Sequence, residues 1–305
     1  MIEIKEYDDR KVVRSYGGRS GTKFGVAADD DIWLLKFPKT TKEMAKADVS
    51  YTTSPLSEYL GSHIYASLGI PVHETGLALR DGKIVVACKD FLMRGDKLIE
   101  FMQIKNIHGF DVGGTSTSGE GVDLKEVLDT IMADEWLMSL EGSIDRFWDM
   151  FVVDAVIGNN DRNNGNWGII ERLDENIELA PVYGNGNAFF NKRGGDKMLA
   201  RLANKKEFEQ DAFGTVTSVY THKLTNGDAV IDKHIKPFDF MSSTNDVGCL
   251  AAMNRFAARY DHAWVSDIID SIPESYRDLA VMPQPMKTAY KKLLAARSER
   301  VILLA

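Results

Sequence analysis

The sequence predicts an α+β fold of two lobes, and three observations carry the prediction. The first third reads as strands with a single helix, the remainder reads as helices interrupted by one short hairpin, and the character changes abruptly after Phe91. A length of 305 residues fits one large domain or two lobes sharing a cleft. The lobe boundary falls between 92 and 93. Residues 1–92 hold a glycine-rich turn, a lysine-bearing strand, one helix and a hairpin; residues 93–305 hold the helices, a polar loop and a second hairpin. A cleft is expected at the junction, near Lys89–Gly95.

Taken in order, Val12–Tyr16 and Lys23–Val26 are strands flanking Gly17-Gly18-Arg19-Ser20-Gly21. Asp29-Asp30-Asp31 turns the chain into the strand Ile32–Phe37, which Pro38 stops. Ser54 is placed as the N-cap and Pro55 as the first residue of a helix. Its Leu56, Leu60, Ile64 and Leu68 recur at helical spacing before Gly69 closes it. Thr75–Arg80 and Lys83–Phe91 flank Asp81-Gly82, a dipeptide suited to the two positive φ angles of a tight hairpin turn. Asp123–Leu140 and Ser143–Gly158 are long amphipathic helices, the second supplying Phe147, Trp148, Phe151 and Val152 to a core. The polar run Asn159–Asn166 separates it from short strands, Trp167–Glu171 and Ile177–Tyr183, around the turn Leu173–Asn176. From Thr244 the chain is helical, ending in Met286–Leu304, where Lys291, Lys292 and Arg297–Arg300 read as a solvated face.

Composition narrows the function. Hydrophobic residues at 44% and charged ones at 27% are globular values. A formal charge of −8 is poorly matched to direct nucleic-acid or anionic-membrane binding, and neither is expected. No stretch approaches the ~20 apolar residues of a bilayer span. The N-terminus MIEIKEYDDRKVV lacks an apolar signal core, so secretion is not expected. Cys88 and Cys249 are too few for a disulfide scaffold and fit a reducing, cytoplasmic location. The six histidines show no HExxH spacing, and His63 and His73 read as packing residues.

The polar run carries the chemistry. Asp161 and Asn166 stand five apart after a buried helix and before a hairpin, the spacing of a kinase base and its metal-binding amide. One carboxylate accepts the attacking hydroxyl's proton and one amide oxygen holds magnesium, so both side chains must project from a single short loop. The same spacing also occurs in solvated turns. Lys36 is the second signal, because an ammonium in the apolar strand Trp33-Leu34-Leu35-Lys36-Phe37 is costly to bury unless paired. It reads either as a phosphate-gripping lysine held by Glu58 on the next helix, or as an edge-strand lysine facing water. The turn 17–21 is suited to covering phosphates with backbone amides, although it departs from G-x-G-x-x-G.

With these residues in place, the chain resembles the HipA-like serine/threonine protein kinases of the short stand-alone type. The resemblance runs through GGRSGTK (17–23), LLKFPK (34–39), SEYLGSHIYASLGIPVHET (57–75), KIVVACKDF (83–91), FWDMFVVDAVIGNNDRNNGNWGI (147–169) and LAPVYGNG (179–186). It implies a bilobal protein-kinase-like fold, ATP and Mg²⁺ as cofactors, and a protein acceptor bearing Ser or Thr. It further implies that Lys36 contacts the ATP phosphates, that Glu58 pairs with it, and that Gly17, Gly18, Ser20, Gly21 and Lys23 cover the nucleotide. The backbone at Lys89 and Phe91 would hold adenine, Asp161 would be the base and Asn166 a magnesium ligand. Autophosphorylation of the glycine-rich loop would fall on Ser15, Ser20 or Thr22.

One departure matters. Where the family reads Tyr/Phe-Asp-x-Gly, with that Asp the main magnesium ligand, this chain reads Tyr183-Gly184-Asn185-Gly186. Asn185 and Asn187 offer neutral oxygens nearby and no compensating charge. Losing ~3 kcal/mol of metal-based stabilisation slows turnover on the order of a hundredfold. Reduced activity is therefore expected, either because the chain is a natural pseudokinase or because it is a variant that lost the Asp; the intact remaining motifs favour the second. The alternatives are a nucleotide-binding module acting through protein contacts and a small-molecule phosphotransferase.

Overall fold

Residues 1–16, 22–44, 47–107, 121–226 and 229–305 are described by the computed structural model. The glycine-rich turn, with the expected nucleotide contacts Gly17, Gly18, Ser20 and Gly21, lies outside the described residues. The elements begin with strands β1 (Lys5–Glu6), β2 (Val12–Ser15), β3 (Lys23–Ala28) and β4 (Asp31–Lys36), then helix α1 (Ser54–Ser67). Strands β5 (Thr75–Arg80), β6 (Lys83–Lys89) and β7 (Lys97–Glu100) lead into α2 (Phe101–Ile107), α3 (Leu124–Ala133), α4 (Glu135–Ser139) and α5 (Ser143–Ile157). Then come β8 (Gly168–Glu171), β9 (Ile177–Leu179), α6 (Gly195–Leu202), α7 (Lys205–Glu209), β10 (Thr221–Asn226) and β11 (Ala229–His234). The chain closes with α8 (Pro237–Ser243), α9 (Val247–Arg259), α10 (His262–Ser271), the short pair β12 (Ser275–Tyr276) and β13 (Leu279–Ala280), and α11 (Gln284–Leu304).

These elements form two compact units that the chain enters more than once. The first gathers Met1–Phe91, Asn185–Thr215 and Tyr260–Arg297; the second gathers Leu92–Gly184, Val216–Arg259 and Ser298–Ala305. In the first, a six-stranded sheet has the order β1-β5-β6-β4-β3-β2, antiparallel except for the parallel β1–β5 pair. Period-2 alternation sorts its side chains. Val26, Trp33, Leu35, Ala78, Val85 and Ala87 form one buried cluster with Tyr7 and Phe37. Cys88 and Val86, one residue out of phase, belong to the opposite face, and α1 packs against β5 and β6. The β5–β6 turn bears out the Asp81-Gly82 signal, with φ of 50° and 65° at the two residues.

The second unit is built on α5. Phe147, Trp148, Phe151 and Val152 are all buried, as the sequence predicts, and α9 packs along the helix. Gly158 ends α5 in the left-handed conformation, φ 70°. Strands β7, β8 and β9 make a three-stranded antiparallel sheet beyond it.

Three local expectations are corrected. The helix expected over Asp123–Leu140 is broken at Asp134, whose extended backbone (ψ 125°) and carboxylate, accepting from Leu137 N at 2.9 Å, start a new helix. Thr53, not Ser54, precedes α1, and Ser54 Oγ meets Thr52 Oγ1 at 2.9 Å instead of capping the backbone. The solvated face holds for Lys292, Glu299 and Arg300, which are exposed, but not for Arg297, which is buried and donates from Nε to Ala212 O and from Nη2 to Asp211 O, both at 2.9 Å. No helix among the described residues is long and apolar enough to cross a membrane.

Candidate active site

In the first unit the sheet and α1 bring four functional groups together. Lys36 lies opposite Val86, and Leu34 opposite Cys88, in the β4–β6 ladder, so Lys36 and Cys88 share the face that α1 covers. Glu58, in the second turn of α1, is 2% exposed and meets Lys36 Nζ at 3.1 Å through Oε1. The same oxygen lies 3.0 Å from His73 Nε2. Burial alone would raise the Glu58 carboxyl pKa; Lys36 and then His73 reverse this and hold it well below the usual carboxylate range. The buried Cys88 thiol is pushed up to about 12, chiefly by desolvation. His73 is buried, as the packing expectation had it, but against a carboxylate rather than in an apolar core. His73 lies two residues before Thr75, the β-partner of Cys88.

Lys23 stands directly opposite Lys36 on β3, which puts two ammonium-bearing residues on one face of the ladder. Lys89 ends β6, its backbone N–H donating to Glu74 O at 2.9 Å and its Nζ 2.6 Å from Asp31. Asp90, between Lys89 and the half-buried Phe91, accepts from Arg14 Nη1 at 2.6 Å and from Tyr16 Oη at 2.5 Å. Ser15 pairs with Phe24 on β3 and is exposed, Thr22 accepts from Phe37 N through its carbonyl at 3.1 Å, and Ser20 lies outside the described residues.

In the second unit the polar run is held by its own side chains and by α5. Asp154, on the last turn of that helix, takes both a 2.8 Å bond from Arg162 Nε and a 3.0 Å bond from Nη2. It also accepts from Asn159 Nδ2 at 3.1 Å, and Asn159 Oδ1 in turn accepts from Asp161 N at 3.2 Å. Arg162 Nη1 donates to Asn166 O at 3.2 Å and to Tyr183 O. One buried guanidinium therefore ties α5 to both ends of the loop and to the residue before Gly184. Asn163 Nδ2 donates to Asp161 Oδ1 at 2.9 Å, and Asn166 Nδ2 donates to Asp161 O. Asn164, also buried, reaches Gly121 O at 3.3 Å. The asparagines thus hold the loop's shape, with Asp161 and Asn166 half-buried beside each other.

Asp154 and Arg162 escaped the sequence reading, although a charged pair spaced eight apart across a helix end was a visible signal. Gly184 has φ 78°, and a Cβ built there would stand 3.2 Å from Asn166 Oδ1. A side chain at 184 would thus face the amide oxygen of Asn166. Asn185 is fully buried in the first unit and donates from Nδ2 to Ser62 Oγ of α1 at 3.1 Å. Farther along, Ser57 Oγ donates to Ala188 O at 2.9 Å and Thr53 N to Asn191 O at 2.8 Å, so residues 185–191 are fastened to the helix that carries Glu58.

Comparisons with known proteins bear on the family and the fold. The family described as HipA-like C-terminal domain matches residues 12–264. The serine/threonine-protein kinase CtkA of Helicobacter pylori strain J99 is 32% identical over 263 residues, covering 85% of this chain and 76% of the relative. A crystal structure of a Helicobacter pylori proinflammatory kinase CtkA superposes with a TM-score of 0.83 at 28% identity, covering 99% of this chain and 96% of that one. HipA from Shewanella oneidensis MR-1, solved with HipB and operator DNA, has a TM-score of 0.56 at 13% identity, covering 94% of this chain and 65% of that one, a likeness of fold alone.

Proposed function

Because the chain belongs to the family of HipA-like C-terminal domains, we propose that it is a serine/threonine protein kinase that uses ATP, slowed by the residue at position 184. The observation that carries the reading is the Lys36–Glu58 pair: a buried carboxylate, 3.1 Å from a strand ammonium, oriented by a helix. Lys36 and Lys23 face each other across the β3–β4 ladder, where like charges repel. A polyphosphate bound there relieves that repulsion.

In this proposal Lys36 grips the phosphates, Glu58 positions Lys36, and Lys23 with Gly17, Gly18, Ser20 and Gly21 covers the nucleotide. Backbone groups of Lys89 and Phe91 receive adenine. Asp161 accepts the proton of a Ser or Thr hydroxyl as that oxygen attacks the γ-phosphorus in line and ADP departs. Ser15, Ser20 and Thr22 are the proposed autophosphorylation candidates, and the cytoplasm is the proposed location. Residues 1–92 and 93–305 are the proposed functional lobes.

Magnesium bound at such a site supplies charge neutralisation. The donor set here does not fit a firmly held Mg²⁺, which takes hard oxygens that normally include one or two carboxylates. Asn166 offers a neutral amide oxygen, and the position facing that oxygen is Gly184. The expected loss is on the order of a hundredfold in turnover. A second reading, a nucleotide-binding pseudokinase acting as a protein-interaction module, is favoured by the same glycine. Calorimetry of ATP binding with and without Mg²⁺ separates the two in the parent and in Gly184→Asp. Aspartate is among the few L residues that accept a left-handed backbone. A gain of metal dependence in the variant supports the kinase reading; identical metal dependence in both proteins favours the module, and no ATP binding by either overturns both.

A further inference from the structure

The face of the sheet beneath α1 holds more donor chemistry than a phosphate-gripping lysine requires. Glu58, His73 and Cys88 are all buried, and one ligand atom from each lies within 4.8 Å of the other two. The kinase reading gives Glu58 a task and leaves the imidazole and the thiol without one. We infer that this triad is a binding site for a thiophilic divalent cation, with Zn²⁺ as its type, and that metal and Lys36 compete for Glu58.

Sulfur, nitrogen and oxygen from three residues are a donor set that zinc takes, with a fourth position left to water. Bonds of roughly 2.0–2.3 Å put the donors of a tetrahedral zinc about 3.3–3.8 Å apart. The triad, which already has Glu58 Oε1 and His73 Nε2 at 3.0 Å, therefore reaches that geometry by side-chain adjustment within its present walls. The three residues come from a helix, the approach to β5, and β6, so packing fixes their backbones relative to one another.

Charge explains the competition. With Lys36 in place, an ammonium offsets the Glu58 carboxylate. With metal in place, a 2+ ion offsets the carboxylate and a Cys88 thiolate; the thiol proton leaves for solvent, and the hydrogen that His73 Nε2 directs at Glu58 passes to Nδ1 or leaves with it. Lys36 is the most exposed of the three charged partners, with 26% of its side chain exposed against 3% for each of Glu58 and His73, so it is the one with solvent to move into. Metal binding therefore releases Lys36 from its carboxylate. On the kinase reading this weakens the grip on phosphate and makes the site inhibitory.

The test is a Co²⁺ titration of the full chain, which needs neither nucleotide nor activity, so its failure is distinct from failure of the kinase reading. The expected result is one equivalent bound, with a thiolate-to-cobalt charge-transfer band and strong visible bands of a four-coordinate centre. The charge-transfer band should vanish in Cys88→Ser and persist in Cys249→Ser, the other buried thiol. Lys36→Met should bind Co²⁺ more tightly, by about tenfold or more, because the competing ammonium is gone. Absence of the band in the folded parent and in Lys36→Met, its survival in Cys88→Ser, or equal affinity in parent and Lys36→Met overturns the proposal.

Discussion

Replacing Asp154 by alanine removes the anchor of the polar loop, and the structure sets the cost. Asp154 is 5% exposed and Arg162 is 1% exposed, so their two bonds of 2.8 and 3.0 Å are made away from water. Deleting the carboxylate leaves a buried guanidinium with only the carbonyls of Asn166 and Tyr183 among these partners. Breaking a buried pair in this way costs about 3–5 kcal/mol. At ~2–4 °C per kcal/mol for chains of this order, the midpoint should fall by roughly 10 °C. Far-UV circular dichroism during heating, with urea titration at room temperature, measures it. Arg162→Met should cost a similar amount, and the Asp154→Ala/Arg162→Met double variant little more than either, because both residues belong to one network. A single variant within ~0.5 kcal/mol of the parent, or losses that simply add, would refute the clamp.

Asp211 should contribute to the acid sensitivity of the fold. Burial alone would raise its carboxyl pKa, but hydrogen bonds from Arg201 (2.7 and 2.9 Å) and the Arg193 ion pair (3.0 Å) pull it below its ordinary 3.8. Its stabilisation is therefore present above that value and lost as pH falls through the lower folded value. Asp211→Asn should be less stable than the parent at neutral pH and lose less on acidification; parallel urea stability curves against pH for the two proteins would contradict this. Gly248→Ala should destabilise by about 1–3 kcal/mol although alanine favours helices, because the added methyl would sit 2.5 Å from Trp148 Cδ1, a buried ring. A raised melting temperature in that variant would show that the α5–α9 contact is looser than described.

Local signals made part of this fold readable. Asp81-Gly82 set a hairpin, Gly158 ended a helix, and the apolar spacing of α1 placed Glu58 where Lys36 needed it. Each depends on neighbours in sequence. What stayed hidden depends on distant chain segments. His73 and Cys88 are unremarkable residues until strand register and α1 put them around Glu58. The buried Arg297 is indistinguishable in sequence from a solvated arginine, because its acceptors, Asp211 O and Ala212 O, lie more than eighty positions away. Asp134 sat inside a convincing helical pattern, and its capping carboxylate prevailed over the periodicity. Strand β10 is hard to read from sequence because Thr221-His222-Lys223-Leu224 shows no apolar alternation.

The most direct test of the account is transfer of labelled γ-phosphate from ATP to protein Ser or Thr by three chains: the parent, Gly184→Asp, and Gly184→Asp with Asp161→Asn. The account predicts weak labelling by the parent, a gain on the order of a hundredfold when the carboxylate is introduced, and loss of that gain when Asp161 is neutralised. Equal labelling by all three, or a gain that survives without the Asp161 carboxylate, would contradict it.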